Sequence, residues 1–271
     1  MLNLTRYVQS GCIALLVGTT CGASTATAGA WLQETGNTLA IVTVRHIRAD
    51  RIINRSSELT ANGRLSKVEP ELYLEYGLAS RLTLLSKFTR STDKIKVLGH
   101  QFTNTDFQRL ELGSRAYLFT WEGTRYVVDL IAGRTMGTQP IDPSLSTTGQ
   151  FDVEVALITG THFEEWGMSG FNETRIAYRH RPGIRPAEAH IEVTLGVNLD
   201  TDWLLLLKNQ NMNSLGRTPS PFGHYRSNKA ELSLVHELEP GFSIEAGALR
   251  TLAGRNVLKE SGFKLAFWYR F

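Results

Sequence analysis

From Phe263 to Phe271 the chain alternates strictly. Phe263, Leu265, Phe267, Tyr269 and Phe271 share one face, and Lys264, Ala266, Trp268 and Arg270 share the other. Side chains of a strand point alternately to its two faces, so this segment is a strand with one apolar and one largely polar side. The pattern recurs. Leu72, Leu74 and Tyr76 alternate with Glu71, Tyr73 and Glu75, and Leu110, Leu112, Ala116 and Leu118 with Arg109, Glu111, Gly113 and Arg115. Tyr126, Val128, Leu130 and Ala132 alternate with Arg125, Val127, Asp129 and Ile131. Ala189, Ile191, Val193 and Leu195 alternate with Glu188, His190, Glu192 and Thr194, and Ala230, Leu232 and Leu234 with Glu231 and Ser233. Each such segment is about ten residues long, the length of a strand that crosses a bilayer.

The alternation predicts an all-β chain, a single antiparallel transmembrane β-barrel of about twelve strands. They fall near residues 38–47, 67–76, 80–90, 106–120, 125–135, 150–160, 168–180, 186–199, 203–210, 226–238, 242–251 and 262–271. The gaps after odd-numbered strands are mostly long and those after even-numbered strands short, as expected of extracellular loops and periplasmic turns. A secreted β-sandwich would alternate too, with its polar face in water. Aromatic and charge placement favour the barrel. All five tryptophans, Trp31, Trp121, Trp166, Trp203 and Trp268, fall at the short-turn side, where an interfacial girdle belongs. The long gaps hold eleven Lys or Arg against five Asp or Glu, and the short turns hold only acidic charges. Basic outer loops suit the phosphates of lipopolysaccharide.

Residues 1–30 read as a cleaved signal peptide, leaving 31–271 as the barrel. Arg6 is their only charge, and the apolar core Gly11–Gly18 is followed by Ala26-Thr27-Ala28 and Ala28-Gly29-Ala30. A spanning helix needs about 17–25 apolar residues, so this core is too short to be one. The two A-x-A sites place the mature start at Gly29 or Trp31. Cys12 and Cys21 both lie in this segment, so the remainder has neither a disulfide nor a thiolate metal site. Gly18-Thr19-Thr20 before Cys21 is a poor lipobox. A net charge of +3 without polybasic runs excludes nucleic acid as a partner class.

The chain end, with Phe271 preceded at alternate positions by Tyr269, Phe267, Leu265 and Phe263, resembles the C-terminal assembly signal of Gram-negative outer-membrane β-barrel proteins. The resemblance implies recognition by the barrel assembly machinery and residence among outer-membrane lipids. A fainter resemblance, carried by Glu75-Tyr76-Gly77-Leu78, Leu82-Thr83-Leu84 and Gly241–Gly247, is to outer-membrane transporters of the phenol-degradation, or MetA-pathway, type.

Arg or Lys facing lipid at the bilayer midplane costs roughly 2–4 kcal/mol, so the charged parity must face the lumen. It assigns Glu69, Glu71, Glu75, Arg109, Glu111, Arg115, Arg125, Asp129, Glu173, Arg175, Glu188, Glu192, Glu231, Glu245 and Lys264 to the lumen wall, with Lys67, Lys87, Arg179 and Arg270. Such charges either ring a channel for small solutes or fill a narrow barrel with salt bridges. Twelve strands enclose more than the side-chain-filled eight-stranded case, which favours the channel. A structural or adhesive barrel is the first alternative and an outer-membrane acyl-hydrolase the second. Gly167-Met168-Ser169-Gly170 lacks the spacing of a nucleophile elbow, and no H-E-x-x-H occurs, so no catalytic residue, metal or cofactor is assigned.

Overall fold

A computed structural model describes residues 30–53, 56, 59–60, 64–97, 100–137, 151–165, 167–183, 185–216 and 224–271. The signal-peptide segment therefore lies outside the described residues, as does Trp166. Among the described residues thirteen strands are formed: β1 (Thr38–Ile53), β2 (Leu59–Thr60), β3 (Arg64–Ala79), β4 (Leu82–Val97), β5 (His100–Trp121), β6 (Thr124–Met136), β7 (Phe151–Glu165), β8 (Met168–His180), β9 (Ala187–Asn198), β10 (Trp203–Leu215), β11 (Arg226–Glu239), β12 (Phe242–Arg255) and β13 (Val257–Arg270). The two-residue β2 pairs only with Ile52 and Ile53. The other twelve pair each with its sequence neighbour, all antiparallel, and β13 pairs with β1 from Leu39↔Arg270 to Ile53↔Val257. This closes the barrel and leaves none of these twelve strands at an edge. The soluble sandwich is overturned, because the pairing makes one closed sheet and not two.

Local chemistry sets the ladder's punctuation. Glu122 and Gly123 both have positive φ, 47° and 77°, which is the type I′ turn that matches strand twist between β5 and β6. Pro70 has no N–H to give. The β3–β4 ladder lapses at Glu69 and Pro70 and resumes at Glu71 in the same register.

The strands run farther than expected on the side of the odd-numbered gaps. Arg48–Ile53, Ser91–Val97 and Leu252–Arg255 were expected in loops and are strand, and Asn256 alone separates β12 from β13. There polar pairs such as Asp93↔Asn104 and Lys94↔Thr103 mix with apolar ones such as Ile95↔Phe102 and Ile53↔Val257, so these stretches carry no regular apolar alternation.

The wall is inverted relative to a soluble protein. Leu112 is 53% exposed on the outside, and its neighbour Glu111 is 5% exposed on the inside. Val42, Leu130, Val155, Ile176, Leu232 and Phe267 continue the exposed apolar belt around the barrel. The tryptophan girdle needs correction. Trp121 and Trp203 are exposed, but Trp268 is buried and Trp31 packs beside the buried Phe171. The inward parity of Trp268, shared with Lys264 and Ala266, already placed it in the lumen.

Candidate lumen site

The N-terminal segment lies inside the barrel. Ala30 is fully buried against Val127 and Ile158, and its N–H donates to Glu173 Oε2 at 2.6 Å. Trp31 lies 4.4 Å from the His162 ring and 5.5 Å from the Phe171 ring, centroid to centroid. Gln33 donates its backbone N–H to Thr83 Oγ1 at 3.0 Å and its side-chain amide to Glu75 Oε2 at 2.5 Å. The segment then leaves over Gly77, whose carbonyl accepts from Gly36 N–H at 2.8 Å. A Cβ on Gly77 would sit 2.0 Å from the Glu34 carbonyl, so only glycine permits this passage. Thr38 then exchanges backbone hydrogen bonds with Phe271, which fixes the entry to β1 beside the chain end.

The lumen is apolar at this end, a feature the sequence reading missed. Leu39, Phe171, Leu204, Leu206, Val235, Ala266 and Trp268 form one buried cluster, with Trp31 and Ile41 packed on it. All are inward residues, and Trp31 of the N-terminal segment packs on them, which extends their apolar contact as in a core.

Above this cluster the inward charges are paired. Arg115 bonds Asp129 at 2.8 Å through Nε and Glu75 at 3.1 Å through Nη1. Tyr73 donates its hydroxyl to Glu75 at 2.6 Å. Arg109 bonds Asp152 at 2.7 Å and Glu111 at 2.9 Å, and Glu111 also meets Lys87 at 2.5 Å. Glu154 holds both Arg175 and Arg179. Lys264 bridges Glu231 and Glu245, at 2.5 and 2.6 Å, with Lys208 nearby. Arg45 joins Glu71 at 3.1 Å and Glu69 at 3.6 Å. Glu173 is different: it forms no ion pair among the described residues and accepts from Ala30.

A cavity of about 370 Å³ runs between these pairs. Of the residues assigned to the wall, Glu71, Glu75, Lys87, Glu111, Arg115, Asp129, Glu173, Arg175, Arg179, Glu192, Glu245 and Lys264 line it. Glu69 and Glu231 line a second cavity of about 200 Å³ with Lys67 and Lys229. Arg109, Arg125, Glu188 and Arg270 line neither of these two cavities, though all keep the inward parity of the wall. Arg109 folds back onto the wall where Gly133 leaves room; a Cβ there would meet its guanidinium at 2.3 Å. Arg125 lies beside the β5–β6 turn with its guanidinium 6.0 Å from the Tyr117 ring centroid. Glu188 is fully buried, held by Arg181 at 3.0 Å, the Tyr225 hydroxyl at 2.6 Å and His190 at 3.0 Å. Arg45, Asp152, Glu154 and Lys208 were missed, although each has inward parity in a predicted strand.

No protein-family model matches this sequence, and no curated protein does. Solved structures do. An outer membrane channel from Pseudomonas putida F1 superposes with a TM-score of 0.72 at 13% identity, over 90% of this chain and 99% of that one. The translocator domain of the autotransporter NalP from Neisseria meningitidis gives 0.54 at 10% identity, over 88% and 90%. The NanC porin gives 0.51 at 7% identity, over 84% and 98%. The chain therefore has the fold of outer-membrane β-barrels.

Proposed function

We propose that this chain is an outer-membrane channel for small solutes whose N-terminal segment occupies one end of the lumen. The observation that carries this reading is the charged cavity inside a closed barrel with an apolar outer wall. Its lining has seven cationic and eight anionic side chains, most of them paired, so the field along the axis is nearly balanced. Such a wall favours solutes that are uncharged or carry both signs, and it discriminates weakly between simple ions. The neighbour from Pseudomonas putida F1, named an outer membrane channel, supports the same reading.

Planar bilayers test it. The protein is expected to give small, discrete conductance steps, with a reversal potential near zero across a salt gradient. A silent barrel, both intact and with residues 30–36 deleted, would sink the channel and favour a structural or adhesive role.

The N-terminal contacts bear on processing. Cleavage after Ala28 keeps the Ala30 bond to Glu173 and its buried methyl, whereas cleavage after Ala30 removes both. Sequencing the membrane-fraction protein should give Gly29 as its first residue. A start at Trp31 would show that the Ala30 contact is dispensable, and a retained Met1 would refute export by this peptide.

The assembly machinery is the partner that the aromatic chain end implies. Phe263, Leu265, Phe267, Tyr269 and Phe271 are all exposed on the outer face of β13 and at its end. Changing Phe271 to Ser should lower outer-membrane levels several-fold in fractionated cells, read by heat-modifiability on a gel. Unchanged levels would mean that the terminal aromatic is only part of the apolar belt.

A further inference from the structure

Among the described residues the outer belt thins on β12. Register across β10–β13 and β1 sets outward residues in rows. Leu207, Leu232, Ala248, Phe263 and His46 form one row, through the pairs Leu207↔Leu232, Leu232↔Ala248, Ala248↔Phe263 and His46↔Phe263. The next row toward the loops with many basic residues is Ala230, Arg250, Ser261 and Arg48, through Ala230↔Arg250, Arg250↔Ser261 and Arg48↔Ser261. On β12, Ala246 and Ala248 therefore stand between Leu232 and Leu234 on one side and Phe263 and Leu265 on the other. Two strand spacings separate these walls, about 10 Å, which leaves a furrow one alkyl chain wide. It opens into a surface cavity of about 580 Å³ whose lining includes Leu207, Leu232, Ala248, Phe263, Arg48 and Arg250.

The furrow ends at cations. Arg48 and Arg250 are exposed on the outer wall and have no ion pair among the described residues. A second depression of about 380 Å³ shares Arg250 and Ser261 and adds Arg51 and Lys259. Its carboxylates are Asp50 and Glu260, and Glu260 is already held by Lys229 at 2.5 Å. A guanidinium beside hydrocarbon is tolerated at the interface, where its cost falls toward about 0–1 kcal/mol, and it gains most from a phosphate there.

We infer that this face binds one phosphorylated glycolipid of the outer leaflet, with an acyl chain along the Ala246–Ala248 furrow and a phosphate between Arg48 and Arg250. Charge selects the occupant: an apolar groove alone would take any lipid tail, but unpaired arginines at its mouth select an anionic headgroup. The inference rests on the barrel standing in the outer membrane, and cell fractionation tests that premise separately.

The probes are lipid A and its chemically dephosphorylated form, each offered to the folded protein in nanodiscs, with retained lipid read by native mass spectrometry. Wild type should keep one lipid A and release the dephosphorylated form. Arg48→Gln with Arg250→Gln should weaken retention about tenfold or more, the loss expected for charge-assisted bonds. Ala248→Phe fills the furrow without touching charge and should also weaken it, whereas Arg90→Gln, exposed on β4, should not. Millimolar inorganic phosphate should not displace the lipid. Equal retention by all variants, retention regardless of phosphate, or a second copy of the chain on this face would overturn the assignment.

Discussion

Replacing Gly160 by Leu is expected to expel the N-terminal segment and raise single-channel conductance several-fold. Gly160 is on β7 and faces the lumen. A Cβ placed there lies 2.3 Å from the Ala30 methyl and 3.0 Å from the Trp31 ring. The obstacle is not the far end of a flexible side chain, so Ala30 and Trp31 must withdraw together. Withdrawal breaks the Ala30 bond to Glu173 and strips cover from Val127 and Ile158. The wall itself is untouched, because the β6–β7 and β7–β8 ladders are made by backbone groups. Gly160→Ala should show a smaller increase. Both variants must still run as heat-modifiable barrels. If the folded Leu variant conducts like wild type, the segment does not limit flow and the constriction lies among the paired charges.

How much of this was legible follows from what each side chain faces. Glu71, Glu111, Arg115 and Asp129 were readable because lipid excludes charge, and parity then leaves one side for them. Arg45 was not, because β1 has apolar residues on both faces: Val42 and Val44 meet lipid, while Leu39, Ile41 and Ile47 point inward. Two apolar faces cancel the alternation. Asp152 and Glu154 stood opposite Phe151, Val153 and Val155 on β7 and could have been found by parity alone. The internal segment was beyond such reading. Its partners Thr83 and Glu173 are 50 and 143 residues away from the residues they hold, and no local pattern encodes a contact across a lumen. Trp31 looked like a girdle residue because an interface and an apolar core ask for the same side chain.

The pairing of the lumen charges makes a second strong expectation, at Arg115. Its side chain is 5% exposed, and those of Glu75 and Asp129 are 5% and 2% exposed. Arg115→Met keeps most of the volume but leaves two buried carboxylates without their cation. Glu75 would retain the Tyr73 hydroxyl and the Gln33 amide, and Asp129 would lose both of its bonds to the guanidinium. Breaking a buried pair from one side costs about 3–5 kcal/mol, because an uncompensated charge remains. Urea unfolding of the barrel in lipid vesicles should show a loss of that order. Adding Glu75→Gln and Asp129→Asn to Arg115→Met should recover most of it, since the site is then neutral and keeps hydrogen-bonding groups. Lys87→Met is the contrast: that side chain is 36% exposed, Glu111 keeps Arg109 and Arg179, and the cost should stay below about 1 kcal/mol. If the Lys87 and Arg115 variants lose equal stability, these groups are solvated alike and the lumen is wetter than its geometry implies. If the triple variant is no more stable than Arg115→Met, the loss comes from packing around the guanidinium rather than from charge.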